Sequence, residues 1–273
     1  MFTKAGFAAT FKYLPMFRDG LLCTVSLSAL TVLFGFIIAL ILTAARLSNF
    51  RPIKKFNFNP LAFLSTCYVE LFRATPMLVQ LFIVYHVLLA PVDLPRFMLF
   101  GTIRFERFIP GVVALALNSG AYLAEIIRSG IQSIDIGQTE AARSLGFSRW
   151  KSMKIVVFPQ AIKNILPAIA NEFVTIIKES SICYTIGVQE IMYAVSSVKG
   201  ATFSIAEPLV IAACVYFCLT FPTSKLIAYC ERRMRKGPGT QARCSFPGPR
   251  PSWLCRTVSW TVSATAVDRK SVV

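Results

Sequence analysis

The chain holds a single histidine, His86, among 273 residues, and its eight cysteines, at 23, 67, 183, 214, 218, 230, 244 and 255, nowhere form a Cys-x-x-Cys pair. Structural and catalytic metal sites draw on closely spaced Cys and His, so none is expected. Most of the cysteines lie in or beside apolar runs, where a thiol behaves as a small hydrophobe, and no disulfide is implied. A Gly-x-x-x-x-Gly-Lys-Ser/Thr phosphate loop is also missing, so the chain does not cradle a nucleoside triphosphate in that manner. Charge is scarce: Asp, Glu, Lys and Arg make up 15% of the residues, against 55% apolar. A soluble domain carries about a quarter charged residues. What remains is an all-α, polytopic membrane protein.

The long uncharged runs that such a protein needs are present. Residues 21–45 carry no charge over 25 positions, where about 20 suffice to cross a bilayer as a helix. This run starts too far from the N-terminus, and is too long, to read as a cleaved signal, although Leu42-Thr43-Ala44-Ala45 loosely imitates a cleavage site. It is read as a retained first span. Four more are expected at about 60–90, 108–128, 162–184 and 207–229. Lys and Arg of short loops gather on the cytoplasmic side. Arg46, Arg51, Lys54 and Lys55 follow the first span; Arg128, Arg143, Arg149, Lys151, Lys154 and Lys163 surround the loop after the third; Arg232, Arg233, Arg235 and Lys236 follow the fifth. The opposite loops are poorer, with Arg96, Arg104 and Arg107 offset by Asp93 and Glu106, and Lys199 alone between spans four and five. The N-terminus is therefore expected outside and the C-terminus in the cytoplasm. A net charge of +16 is spent on membrane flanks rather than on an aromatic-rich polar surface, so nucleic acid is not an expected partner, whereas lipid is.

Charges inside a bilayer cost about 2.5–3.5 kcal/mol each at a helix centre, and so mark protein contacts or a water-filled path. Glu70 and Arg73 lie one turn apart on span two and are placed to neutralise each other, next to a helix break at Thr75-Pro76. On span three, Asn118, Tyr122 and Glu125 share a face, beside Ser119, Gly120 and Ala121, which permit close helix packing. Span four carries two overlapping rows, Asn171, Thr175, Lys178 and Glu172, Thr175, Glu179, followed by Ser180 and Ser181. Each set reads as pathway lining or as a structural contact, with structure favoured for Glu70 and Arg73. In the pathway reading, an amino acid's ammonium would meet Glu172 or Glu179, and its carboxylate Lys178 or the hydroxyls of Ser180 and Ser181.

Between spans three and four, residues 129–161 form a polar loop. Glu140 to Leu145 is too short to hold as a helix alone, so it needs something to pack against. Gln138 or Thr139 is expected to cap it, Glu140 suits the positive end of its dipole, and Gly146 supplies a left-handed stop, with a second helix from Ser148. Ala141 and Ala142 let a partner approach closely. The bland alternative is an ordinary helical hairpin.

The order Glu140-Ala141-Ala142, three residues, Gly146, nine residues, then Val156-Val157-Phe158-Pro159 resembles the cytoplasmic loop of permease subunits of bacterial ABC importers, with Val156 and Phe158 as mild replacements. Tyr68 to Pro76, Asn118 to Arg128, Pro159-Gln160-Ala161, Asn171-Glu172-Phe173 and Lys178 to Ser181 resemble the polar amino acid uptake subfamily. The likeness spans about residues 20–235. It implies a type I importer permease fold over residues 1–236, in a bacterial inner membrane, with Glu140, Ala141, Ala142 and Gly146 coupling to separate ATPase subunits. It further implies a second permease, either an identical copy or a paralogue, and an extracytoplasmic substrate-binding protein, met by the loops around 91–107 and 188–206. ATP and Mg would be used by the partner ATPase, with no cofactor on this chain. Two rivals are weaker. A secondary transporter or channel working without an ATPase usually shows internal repeats, which are missing here; an intramembrane enzyme could recruit the acidic residues and Ser180-Ser181 as acid, base or nucleophile, but would have a single histidine and no ligand cluster. The Pro-rich stretch 237–273 lacks helical periodicity and is expected to be disordered, either a non-native extension or a functional appendage.

Overall fold

The computed structural model describes residues 4–48, 58–99 and 101–235; the tail 237–273 and the basic residues Arg51, Lys54, Lys55 and Lys236 lie outside them. A short helix α1 (Lys4–Phe11) leads into α2 (Leu14–Leu47), which begins with proline in its first turn, where a missing N–H costs nothing. Helix α3 (Pro60–Ala74) is capped by Asn59, whose side chain accepts the Ala62 N–H at 3.1 Å. It stops at Pro76, and α4 (Met77–Ile83), prolonged by a π-helical turn Val84–Leu88, sets off at 111° to it. A two-residue hairpin follows, β1 (Met98–Leu99) against β2 (Ile103–Arg104), closed through Gly101 at φ 73°. Then come α5 (Phe105–Gln132), α6 (Ile136–Ser144) and α7 (Arg149–Ser152). Through the π-helical turn Met153–Val157 the chain continues into α8 (Phe158–Glu179) and a 3-10 extension Ser180–Ile186. Helices α9 (Ile191–Thr202) and α10 (Ala206–Arg235) end the described chain.

Leu14–Leu47, Phe105–Gln132, the run Arg149–Ile186 and Ala206–Met234 are long and apolar enough to cross a membrane, and the bent pair α3–α4 makes a fifth span if taken as one. The second span, expected as one run over 60–90, is thus two limbs with a sharp corner. The hairpin is the one departure from an all-helical chain among the described residues. Helix α5 is the central post. It packs along α2 because Gly120 faces Ile38: a Cβ there would sit 2.7 Å from the Ile38 Cγ2, so only glycine admits this approach. One core joins Cys23, Leu27, Phe108, Leu115 and Val188 at the hairpin end, and a second joins Ala39, Val69, Leu123 and Ile165 at the other. A third, of Phe17, Ile191, Val195, Val198 and Ala212, seats α9 on α2 and α10.

Candidate functional site

The segment between α5 and α8 is built from its caps inward. Asp135, not Gln138 or Thr139, caps α6: its carboxylate accepts the Gly137 N–H at 2.6 Å, which starts the helix a turn earlier than expected. Gly146 stands at φ 85° just past its end, and its N–H reaches the Arg143 carbonyl at 3.0 Å, closing the turn as a left-handed glycine does. Ser148 caps α7 through the Lys151 N–H. Helix α6 rests on the Met153–Val157 turn. Its Ala142 is buried against the chain, which corrects the expectation of two outward alanines; Glu140 and Ala141 are exposed. Around them stand Ile136, Leu145 and Trp150, 74%, 79% and 73% exposed. Three large apolar side chains thus stand uncovered on one small polar segment. Sequence spacing missed them because an isolated apolar residue in a short loop carries no periodicity.

At the α3–α4 corner, Pro76 has no N–H for the Phe72 carbonyl. Gln80 replaces it. Its Nε2 donates to the Phe72 carbonyl at 2.8 Å, to the Thr75 carbonyl at 3.0 Å and to Thr75 Oγ1 at 2.7 Å, while its Oε1 accepts from Asn118 Nδ2 at 2.8 Å. Gln80 and Asn118 are both buried. Asn118, read from sequence as open between pathway and packing, is therefore committed to packing.

Two further polar groups sit towards the α6 end. Glu125 accepts from Arg46 Nη1 at 3.0 Å and from Arg128 Nε at 2.9 Å, with a second bond from Arg128 Nη2; Arg46 Nε also reaches Thr66 Oγ1 at 3.1 Å. Glu125 thereby clasps α2, α3 and α5 together. Among the described residues no ion pair joins Glu70 to Arg73, contrary to the expected neutralisation. The Arg73 guanidinium instead lies 5.7 Å from the centre of the Tyr122 ring, which brings these two predicted residues together as a cation–π pair.

On α8, Asn171 and Lys178 are exposed, and Glu172, Thr175 and Glu179 are half-buried. None of Glu172, Lys178 and Glu179 has an ion-pair partner within 4.0 Å among the described residues. Ser180 is buried and donates to the Ile177 carbonyl at 2.8 Å. Ser181 instead joins Lys178, Tyr184, Met192 and Tyr216 around a cavity of about 290 Å³. Behind that cavity is a residue that spacing did not single out. Glu190 is fully buried, caps α9 by accepting the Tyr193 N–H at 2.8 Å, and accepts the Tyr216 hydroxyl at 2.8 Å. Burial pushes its carboxyl up to about 7, against the opposing pull of those hydrogen bonds. A lone glutamate in a loop gives no sequence signal of this kind.

Comparison with known proteins falls on the same segments. The family described as binding-protein-dependent transport system inner membrane component matches residues 56–236. The arginine transport system permease protein ArtQ of Bacillus subtilis (strain 168) is 37% identical over 229 residues, covering 84% of this chain and 97% of that protein. A protein of Rickettsia conorii named for glutamine transport, the permease GlnP, is 36% identical over 217 residues, covering 79% and 91%. In the crystal structure of an amino acid ABC transporter with histidines, one chain is 39% identical and superposes with a TM-score of 0.74, covering 85% of this chain and 100% of that one.

Proposed function

The chain belongs to the binding-protein-dependent transport system inner membrane components, and from that membership we propose that it is half of the translocation pathway of an ABC importer for polar amino acids. It is a multi-pass inner-membrane protein. Energy comes from separate ATPase subunits that use ATP and Mg, docked at the segment around Glu140. The observation that carries this reading is the uncovered apolar trio Ile136, Leu145 and Trp150 beside Glu140 and Ala141, held by Asp135 and Gly146 between α5 and α8. An ATPase surface that covers the trio gains by burying it, and closure of two ATPases pulls on α5 and α8 together, which is how a rigid-body shift becomes alternating access. The clustering of Lys and Arg at this end supports a cytoplasmic placement for it, with the hairpin and α9 outside.

The α8 row supports a second permease. Asn171 and Lys178 are exposed and Glu172 and Glu179 half-buried, and none of the three charged ones has an ion-pair partner among the described residues. Such a row is stable against water or protein and costly against lipid, so it faces a water-filled path shared with a second subunit. There Lys178, Ser181 and Tyr184 offer donors to a substrate carboxylate, and Glu172 and Glu179 offer acceptors to an ammonium.

The test is extraction in mild detergent with the ATPase subunit. We expect the ATPase to co-purify with the wild-type chain and to be lost from Leu145→Asp and Trp150→Asp, while the variants elute as folded, monodisperse protein. An ATPase that stays bound to both variants would remove the proposed docking surface.

A further inference from the structure

Between α2, α5 and α8 the chain leaves a groove of about 580 Å³. Its walls come from Leu33 and Phe36 of α2, Ile127 of α5 and Phe158, Ile162 and Leu166 of α8, and every residue that lines it is apolar. On α8 these three stand four residues apart, so they form one stripe along the helix. Leu33, Phe158 and Leu166 are exposed, so the groove opens away from the bundle. It runs along α8 from Phe158 to Ile169, about 16 Å at 1.5 Å per residue, inward from the α6 end of the span. A concavity left empty in hydrocarbon forfeits the dispersion contacts of its walls. The groove therefore calls for an occupant that is apolar and lies lengthwise.

Charge at its mouth says which. Lys154 stands four residues before Phe158, and Lys163 directly follows Ile162; both are exposed, and neither is in an ion pair among the described residues. Helical side chains lean toward the N-terminus of their helix, which carries the Lys163 ammonium back toward the Lys154 end. No acid of the walls answers them. Residues 20–47 and 149–171 contain neither Asp nor Glu, and Glu125, two residues from Ile127, is already held by Arg46 and Arg128. A helix from a second copy would bring its own Arg46, Arg128 or Arg232 to this level, and like charges brought together there repel. A phosphate neutralises the same two lysines. Basic pockets between spans on the cytoplasmic side are where the headgroups of anionic lipids bind.

We propose that the α2–α8 groove is a binding site for an anionic phospholipid of the cytoplasmic leaflet, with one acyl chain along Phe158 to Ile169 and the phosphate between Lys154 and Lys163. The site rests on the placement of the chain in the membrane, with the α6 end cytoplasmic, and not on what the chain transports. So placed, the lipid braces α2 against the foot of the helix that carries Lys178.

Two measurements test it on the assembled transporter. After delipidation and titration with equimolar phosphatidylglycerol and phosphatidylethanolamine, native mass spectrometry should show phosphatidylglycerol bound in preference. Lys154→Gln combined with Lys163→Gln should weaken that preference by about tenfold or more, in a complex of unchanged melting temperature. Equal binding of the two lipids by the wild type, or an unaltered preference in the double variant, would overturn the site. In vesicles of the same two lipids, p-benzoylphenylalanine at position 33 should give phospholipid adducts on irradiation, and Leu166→Trp, which fills the groove, should cut their yield severalfold. An undiminished yield would put the chain outside the groove and overturn the proposal. Adducts to a second permease copy in place of lipid would assign the groove to a subunit interface and overturn it equally. The import reading stands or falls on ATPase binding and uptake, which neither measurement uses.

Discussion

Glu190 shows what a single side chain does here. It is fully enclosed, caps α9, and ties α9 to α10 through the Tyr216 hydroxyl. Opposite it, Gly20 of α2 lies so close that an added Cβ would sit 3.0 Å from the Glu190 carbonyl carbon and the Ile191 nitrogen. Those are backbone atoms and cannot rotate away, so Gly20→Ala should cost about 1–3 kcal/mol in thermal or denaturant unfolding. An unchanged melting temperature would deny the close contact. Glu190 also sets a pH dependence. Its folded value, about 7, lies above the ordinary 4.5, so the folded state holds its proton more tightly than the unfolded one. The stabilisation is complete below about pH 4.5 and is lost as pH rises through about 7. Melting temperature should therefore fall from about pH 5 to pH 8, and Glu190→Gln should flatten that slope. None of this was legible beforehand. A glutamate cap is not a favoured type, and the residues that enclose Glu190 come from three helices distant in sequence.

At the scale of an element, the α3–α4 corner and the α6 segment give opposite lessons. The corner's existence was legible, because Pro76 cannot donate and stops a helix. Its repair was not, since the donor, Gln80, arrives from the next helix and is fixed by Asn118 from another. Gln80→Leu leaves the Thr75 carbonyl without its donor and the Phe72 carbonyl with only the 3.4 Å bond from Asn118 Nδ2, and should cost about 1–3 kcal/mol. A double-mutant cycle with Asn118→Ala should show a coupling of about 0.5–3 kcal/mol, as for residues in one hydrogen-bond network; additivity would mean that the two amides do not share it. For α6, the left-handed stop at Gly146 and the Ser148 cap follow from residue types alone and stand in the structure. Asp135 lies five residues ahead of Glu140, outside the motif, so the motif's spacing does not point to it as the cap, and the burial of Ala142 is set by what α6 rests on rather than by residue type. Gly146→Ala meets no side chain, so its cost is the left-handed backbone alone, about 1–2 kcal/mol. It should weaken ATPase stimulation by more than it lowers the melting temperature.

At the scale of the molecule, the described spans pack around α5. The central place of α5 is set by packing that no run announces, whereas the spans themselves were legible in the sequence, because long uncharged runs are coarse signals that no single contact can overturn. The individual pathway residues were not: spacing puts Asn118, Ser180 and Ser181 on equal terms, and only the packed chain shows that the first two are spent on internal hydrogen bonds while Ser181 lines a cavity. The proposed pathway role of the α8 row is tested at this scale. On that proposal, Glu172→Gln and Lys178→Ala should leave assembly with the ATPase intact and reduce uptake of labelled polar amino acids. Uptake equal to wild type in both would assign the row to structure.

In the proposed function this chain moves its substrate only when a separate ATPase drives it through the segment around Glu140. Uptake of labelled arginine, glutamine and histidine into proteoliposomes, with binding protein outside and ATP sealed within, tests this. Accumulation is expected from the full assembly, none from this chain alone, and none when Leu145→Asp and Trp150→Asp are combined. Accumulation by the chain reconstituted without its ATPase would contradict it.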